Sequence, residues 1–202
     1  MKYGLLADIH EDARFLRAAL DRFRLEAVDR VLVLGDVFEM GRALEGTTQL
    51  LHDAGAEGVW GNHDFGLSYQ PGDEIRARFS EDCMAFMTSL RPRLEFEDCL
   101  ITHVEPWRDA EDINELWSFE SDSTPGLSFA SSSHRIMLHG HHHRWRATTP
   151  EGAVDWDCFH PLMLDPDRRY LIQVGAVCDG RCGVLDTTAN VLTPIDLRDG
   201  NS

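Results

Sequence analysis

Three short apolar runs, each followed by a polar turn and then a helix-like stretch, place the strongest constraint on the fold of this chain. The runs cover residues 3–7, 31–34 and 59–60, and apolar residues then recur at helical spacing around 15–23, 44–51 and 74–90. Runs of this length are too short for isolated helices and are typical of buried strands. Strands that alternate with helices predict an α/β fold with a largely parallel sheet.

The remaining apolar runs predict further strands. They cover residues 94–96, 100–102, 136–138, 170–174, 183–185 and 191–195. Tight turns separate the last three runs, which indicates antiparallel pairing in the C-terminal part. No linker-like stretch divides the 202 residues, so we expect a single domain, 1–202.

Residues 105–133 form the least regular segment and are rich in acidic and aromatic residues. Between 105 and 122 it contains the acids Glu105, Asp109, Glu111, Asp112, Glu115, Glu120 and Asp122, a single base, Arg108, and the aromatic residues Trp107, Trp117 and Phe119. We expect this segment to be a long irregular loop or small cap on the surface, with its acids solvated.

The charge balance excludes several classes of partner. The chain has 35 acidic and 19 basic residues, a net charge of −16. Such a protein repels both a phosphate backbone and an anionic membrane surface, so we expect it to bind neither nucleic acid nor membrane. No apolar run approaches the roughly 18 residues of a membrane span, and the apolar stretch before Asp8 is too short for a signal peptide. The five cysteines are odd in number and widely spread, which favours reduced thiols and a cytoplasmic location.

Residues able to bind metal ions follow five of the predicted strands. They are Asp8 with His10, Asp36, Asn62 with His63 and Asp64, His103, and His141 with His143. Ligands of α/β sheets bind beyond the carboxyl ends of the strands, so these groups should converge on one edge. Oxygen and imidazole donors without thiolates suit Mn, Fe, Zn, Co or Ni. The donors are too many for one ion and suffice for two ions about 3.5–4 Å apart.

Each group has a plainer interpretation when it is taken alone. Asp8 could cap a helix, Asp36 could sit in a turn, and His103 could be a hydrogen-bonded core histidine. The histidines at 141–143 could belong to a solvated loop. Five independent coincidences at successive strand ends would then be needed, so one shared metal centre is the better hypothesis. Two divalent ions would outweigh the charges of Asp8 and Asp36 and make the site attractive to phosphate.

The order of these motifs resembles the signature of the calcineurin-like metallophosphoesterases. The matching blocks are Asp8-x-His10, Gly35-Asp36, Gly61-Asn62-His63-Asp64, His103 and Gly140-His141-x-His143, and the resemblance runs from residue 3 to about 143. In style and length the chain is similar to the small bacterial phosphodiesterase and phosphatase branch. The resemblance implies a four-layer α-β-β-α sandwich with two facing mixed sheets and the metal site at the C-terminal ends of the strands.

The resemblance also assigns a role to each block. It implies one ion on Asp8, His10 and His143, a second on Asn62, His103 and His141, and Asp36 as the bridge between them. A hydroxide bridging the two ions would attack phosphorus. His63 would face the substrate as the general acid, with Glu39 or Asp64 as its carboxylate partner.

The implied activity is hydrolysis of a small phosphate ester, either a monoester or a diester. Met40 stands where protein phosphatases have an arginine, which weakens the protein-phosphatase interpretation. The residues that would bind the substrate phosphate stay open, with Arg42, Arg108, Arg144 and Arg181 as candidates. The alternative is a non-catalytic, metal-bound interaction module on the same fold, which would grip a protein partner through the segment around Trp107 and Trp117. The sequence does not define an oligomeric state.

Overall fold

The computed structural model of the chain describes residues 1–118 and 125–198, which form two six-stranded sheets. In spatial order, the first sheet consists of β3 (Glu57–Val59), β2 (Arg30–Leu34), β1 (Lys2–Leu6), β11 (Arg181–Asp186), β12 (Val191–Asp196) and β9 (Leu162–Met163). The second sheet consists of β4 (Leu94–Phe96), β5 (Cys99–Ile101), β6 (Ile136–His139), β10 (Tyr170–Gln173), β7 (Arg146–Thr149) and β8 (Gly152–Ala153).

Both sheets are mixed, and each has a parallel half. Strands β1, β2 and β3 are parallel neighbours, and so are β5, β6 and β10. Strand β11 pairs antiparallel with β1, and β12 pairs antiparallel with β11. The antiparallel pairing expected in the C-terminal part is therefore present. Five strands that precede the predicted metal-binding residues, β1, β2, β3, β5 and β6, all belong to the parallel halves.

The helices of the described residues are α1 (Ala13–Leu25), α2 (Leu44–Asp53), α3 (Phe65–Ser68), α4 (Asp73–Arg76), α5 (Glu81–Ser89), α6 (Ile113–Leu116), α7 (Pro125–Ser131) and a 3-10 turn (Val177–Asp179). The prediction of one helix over about 74–90 is wrong, because α4 and α5 are separate helices. The Ser80 side chain accepts a hydrogen bond from the Cys83 N–H and so starts a new helix. Among these helices, none has the length and apolar character needed to span a bilayer.

The apolar side chains confirm four layers. One core cluster fills the space between the sheets and includes Tyr3, Leu5, Leu32, Leu34, Ile101, Leu138 and Ile172. A second lies between the first sheet and its helices and includes Leu6, Leu16, Phe23, Val33 and Leu51. Leu5 and Leu6 enter different clusters because successive strand side chains point to opposite faces. On the outer face of the second sheet, Phe129 of α7 packs against a smaller cluster of Leu100, Met137 and Leu171.

The segment expected to be a surface loop or cap is partly buried. Within 105–133 the structure describes α6 and α7, whereas residues 119–124, which include Phe119, Glu120 and Asp122, lie outside the described residues. The expectation of a solvated acidic face is wrong for Glu105, which is only 2% exposed. Its carboxylate accepts a hydrogen bond of 2.7 Å from Nε of Arg108, and Nη1 of Arg108 donates to Glu115 at 3.0 Å. Pairing with an arginine is what makes burial of this acid tolerable.

Candidate metal centre

Five of the seven predicted ligands line an open cleft at the carboxyl ends of the parallel strands, and the other two, Asp8 and His103, are fully buried. The cleft has a volume of about 510 Å³ and is lined by His10, Asp36, Glu39, Asn62, His63, Trp117, His141, His143, Cys178 and Asp179. The loops after β1, β2 and β3 of the first sheet and after β5 and β6 of the second meet there. The cleft therefore lies where an α/β sheet places its ligands.

The carboxylate of Asp36 occupies the middle of the cluster. Its Oδ2 atom is 3.6 Å from Nε2 of His10 and 3.4 Å from Nε2 of His103. Its other oxygen accepts a hydrogen bond from the His63 N–H at 3.0 Å. Burial disfavours the ionised form of Asp36. The charge of His103 and the hydrogen bonds that the Asp36 carboxylate accepts outweigh burial, and they hold the pKa of Asp36 well below its ordinary value. One carboxylate oxygen that faces two imidazoles from different sheets has the arrangement of a bridging ligand.

The two sides of Asp36 carry different donor sets. On one side, Oδ1 of Asn62 is 2.9 Å from Nε2 of His103 and 3.0 Å from Nδ1 of His141. On the other side, Nε2 of His143 lies 3.3 Å from Nε2 of His10. The same His143 atom is 3.7 Å from Oδ1 of Asp8. The structure thus brings all seven predicted ligands together as two groups around Asp36.

Hydrogen bonds on the outer side of three histidines fix which nitrogen faces the cleft. Nδ1 of His103 donates to the Leu34 carbonyl at 2.8 Å, and Nε2 of His141 donates to the Ser118 carbonyl at 3.1 Å. Nδ1 of His10 donates to the Glu39 carboxylate at 2.9 Å. Carbonyl and carboxylate oxygens can only accept hydrogen bonds, so the ring nitrogen beside each of them carries the hydrogen. In a neutral ring the other nitrogen, which faces the cleft, then carries a lone pair. Histidine ligands of metal ions are oriented in the same way.

The chemistry of this donor set fits divalent metal ions. Two buried carboxylates, one amide oxygen and four imidazoles converge, which are the ligand types preferred by Mn, Fe, Co, Ni and Zn. In the metal-free chain, bound protons supply part of the positive charge that the metal ions would bring. Burial raises the pKa of Asp8 to about 8. Burial disfavours the charged form of His103, yet the nearby Asp36 and Asp8 carboxylates raise its pKa to about 9.

The backbone at the cleft is held in an uncommon conformation. Five of the predicted ligands have a left-handed φ, namely Asp8 (51°), His10 (45°), Asp36 (55°), His141 (71°) and His143 (53°). Such residues cost of order 1–3 kcal/mol each and persist where the surrounding structure compels them. Gly61 allows the close approach, because a Cβ there would lie 2.1 Å from Oδ1 of Asp36. The left-handed residues and the close approach at Gly61 therefore bring the ligand loops tightly around Asp36.

A comparison with known families decides the assignment. The model of the calcineurin-like phosphoesterase superfamily domain matches residues 1–189 of this chain. The chain belongs to the calcineurin-like phosphoesterase superfamily. Members of this superfamily hydrolyse phosphoesters and generally bind two divalent metal ions.

Solved structures share the fold of this phosphoesterase. A metallophosphoesterase from Sphaerobacter thermophilus is 19% identical with a TM-score of 0.78, and the match covers 96% of this chain and 86% of that one. A structure described as a putative diadenosine tetraphosphatase is 17% identical with a TM-score of 0.60, covering 98% and 95%. A novel archaeal phosphodiesterase is 19% identical with a TM-score of 0.58, covering 96% and 99%. At these identities the likeness concerns the fold.

The sequence is also similar to that of an uncharacterised protein of Methanocaldococcus jannaschii. The two are 21% identical in an alignment of 199 positions, which covers 90% of this chain and 78% of the relative.

Two acids were candidates for the partner of His63 in the calcineurin-like phosphoesterase. Oε2 of Glu39 lies 3.4 Å from Nδ1 of His63. Asp64 is fully buried and accepts hydrogen bonds from the backbone N–H groups of Val37, Phe38 and Gly61. The geometry therefore favours Glu39 as the acid beside His63, whereas Asp64 fastens the loop that carries Asp36.

Glu11 has a structural function that its position after His10 did not reveal. Its carboxylate accepts hydrogen bonds from four backbone N–H groups, those of Glu39, Met40, Gly41 and Ala43. Burial raises the pKa of Glu11, but these four donors outweigh it and lower the pKa below its ordinary value. Glu11 thereby fixes the loop that presents Glu39. No spacing in the sequence signals this contact.

The cleft contains three further side chains that sequence reasoning did not assign to it. The ring of Trp117 lies 5.0 Å from that of His63, and Trp117 is 46% exposed. Cys178 and Asp179 follow β10, which is parallel to β6 and therefore ends at the same edge. That parallel pairing is the signal that would have found them. Among the residues that the structure describes, none of the four candidate arginines lines the cleft.

Proposed function

We propose that this phosphoesterase hydrolyses small phosphate esters, monoesters or diesters, with two bound metal ions and His63 as the general acid. The position of Asp36 carries the proposal, because one of its oxygens faces His10 from the first sheet and His103 from the second. A carboxylate shared in this way serves two ions at once. Two divalent ions in such a centre supply an activated water as nucleophile and neutralise charge on the phosphoryl oxygens.

We assign the ligands by their grouping around Asp36. Asp8, His10 and His143 would hold one ion, and Asn62, His103 and His141 would hold the other, with Asp36 shared by both. The grouping of Asp36, His103 and His141 has donor atoms within 4.8 Å of one another, which supports the second set. The native metal is one or two of Mn, Fe, Zn, Ni or Co, since these ions accept mixed oxygen and imidazole ligands.

His63 is placed for proton transfer. It lines the cleft, and its backbone N–H is anchored on Asp36, so its ring stands beside the reacting centre. Nδ1 is within 3.4 Å of the Glu39 carboxylate, which can accept its hydrogen and orient the ring. In the imidazolium form the other nitrogen also carries a hydrogen, which it would donate to the oxygen of the departing alcohol, and the ring would be left neutral.

The electrostatics of the whole protein support a small substrate. The net charge of −16 repels a polyanion, so we propose no stable binding of nucleic acid or membranes. At the centre itself, two divalent ions would exceed the combined charge of Asp8 and Asp36. The substrate phosphate would therefore be held mainly by the ions and His63.

Hydrolysis of bis-p-nitrophenyl phosphate and p-nitrophenyl phosphate with added Mn²⁺ or Ni²⁺ tests the proposal. We expect Asp36→Asn to lose both bound metal and activity, because it removes the shared carboxylate charge. His63→Ala should keep its metal and lose roughly 10²–10⁴-fold in kcat, the usual contribution of a general acid. His52→Ala on the surface of α2 is the matched control and should resemble the wild type.

The outcomes separate the two interpretations of the centre. Full activity in both Asp36→Asn and His63→Ala would contradict the mechanism. Bound metal without turnover on any ester would favour the interaction module, with the exposed Trp117 as part of its contact surface.

A further inference from the structure

Cys178 is tied by the backbone to the same edge as the metal ligands. It lies in the 3-10 turn Val177–Asp179 that follows β10. Its N–H donates to the carbonyl of Asp8 at 3.1 Å, and the N–H of Val177 donates to Ala7 at 2.8 Å. These bonds hold the turn against the end of β1. Backbone hydrogen bonds therefore fix the position of the Cys178 thiol at the cleft.

The thiol of Cys178 lies beside two of the proposed ligands. Its Sγ atom is 3.7 Å from Nδ1 of His143. One donor atom from each of His10, His143 and Cys178 lies within 4.8 Å of the other two. Cys178 is half-buried and lines the cleft.

We propose that Cys178 is a thiolate ligand for a thiophilic divalent ion, held together with His10 and His143 at this end of the centre. The inference rests on the proposed metal centre and goes beyond its oxygen and imidazole ligands. When the metal–sulfur bond forms, the S–H proton passes to solvent, and no oxidation or reduction takes place. A thiolate in the set favours Zn²⁺ over the harder Mn²⁺.

The positions of Cys158 and Cys182 argue against a zinc site that would join them to Cys178. Cys182 is fully buried in β11, and Cys158 donates to the Trp145 carbonyl.

Titration of the metal-free full-length protein with Co²⁺ tests the inference spectroscopically. Visible d–d absorption reports cobalt bound anywhere in the centre, and the near-ultraviolet thiolate-to-cobalt charge-transfer band reports sulfur ligation. We expect the wild type to show both. Cys178→Ser should keep the d–d absorption and lose the charge-transfer band, and Cys158→Ser is the matched control that should keep both.

The possible results distinguish this inference from the proposed function. Cobalt d–d absorption without a charge-transfer band in the wild type would overturn the role of Cys178 and leave the metal centre intact. A charge-transfer band that survives in Cys178→Ser would do the same. Absence of any bound cobalt would overturn both proposals together.

Competition between metals gives a second readout that does not depend on turnover. We expect Cys178→Ser and Cys178→Ala to weaken Zn²⁺ binding by roughly tenfold or more, with little change in Mn²⁺ binding. Equal losses for both ions would contradict a thiolate ligand. The two substitutions differ in polarity, so agreement between them excludes a packing defect specific to one.

Discussion

The carboxylate of Glu39 connects two histidines to which we assign different tasks. Its Oε2 atom is 2.9 Å from Nδ1 of His10, a proposed ligand, and 3.4 Å from Nδ1 of His63, the proposed acid. One oxygen therefore orients both rings. The metal centre and the proton donor are coupled through this residue.

This coupling makes Glu39 a test of the mechanism. We expect Glu39→Ala to lower kcat roughly 10–100-fold and to weaken metal binding in the same variant, as loss of a residue that orients a ligand does. Steady-state kinetics and metal analysis measure the two effects. Glu74→Ala, at an exposed acid of α4, is the control. Normal kinetics in Glu39→Ala would remove Glu39 from the mechanism.

His139, the last residue of β6, is fully buried. It is 0% exposed, and among the described residues neither of its ring nitrogens is hydrogen-bonded. Burial lowers its pKa to about 4. An unfolded histidine has a pKa of about 6.5. Between this pH and about pH 4, the unfolded chain therefore binds the proton more readily than the folded chain does. Stability is therefore lost as the pH falls through this window.

We expect His139→Leu to raise the free energy of unfolding of the metal-free protein by about 1 kcal/mol, because an unsatisfied buried polar group is removed. The gain should be larger at pH 5 than at pH 7.5. Urea unfolding at the two pH values measures it, with His52→Leu as the control. The prediction is contradicted if the variant is less stable than the wild type, or if its free energy of unfolding depends on pH as that of the wild type does. Either result would show that His139 contributes a stabilising contact or charge.

At the scale of elements, the loop after β2 depends on Glu11. Removal of its four backbone hydrogen bonds should cost about 1–3 kcal/mol and release Glu39. We expect Glu11→Ala to be less stable and to lose kcat, and Glu11→Gln, which keeps an acceptor oxygen, to lie between it and the wild type. Thermal unfolding and kinetics check this order. An unchanged kcat in Glu11→Ala would mean that the loop holds Glu39 without this contact.

Among the described strands, apolar patterning predicted all except β7, β8 and β9. Strands β7, β8 and β9 are short, lie toward the edges of their sheets and carry polar or exposed residues, so no run marks them. The helical pattern over 74–90 hid the break at Ser80, where a side-chain cap overrides periodicity. Apolar periodicity in the sequence reports neither helix caps nor the position of a strand within its sheet.

The convergence of the metal-binding residues was predictable because it follows from one rule. Each of them comes directly after a parallel strand, so the carboxyl edge of the sheet brings them together. Cys178 obeys the same rule but needed knowledge that β10 lies beside β6, a pairing between distant stretches of chain. Glu11 reaches the loop that carries Glu39, and Trp117 reaches the cleft, through loop geometry that no local pattern encodes.

At the scale of the whole molecule, each proposed ion would connect the two sheets. The first set joins Asp8 and His10, after β1, to His143, after β6. The second joins Asn62, after β3, to His103, after β5. An ion that binds only the folded state stabilises it by mass action, by about 2.7 kcal/mol at a hundredfold excess over Kd.

Metal removal should therefore lower the melting temperature. For a chain of this size we expect a loss of roughly 5–10 °C when EDTA strips the saturated protein. Differential scanning fluorimetry with and without EDTA measures this loss. Asp36→Asn serves as the reference, since its melting temperature should respond much less to the chelator. Identical curves for the loaded and stripped wild type would rule out ions as links between the layers.

Strand β1 lies in the middle of the first sheet, between β2 and β11. On the ribosome, β1 is made long before one of its two neighbours, β11 (Arg181–Asp186). A nascent chain that does not yet contain β11 therefore exposes an open, apolar edge of β1, the feature by which chains join wrong partners. We expect such incomplete chains to aggregate more readily than chains in which β11 covers this edge.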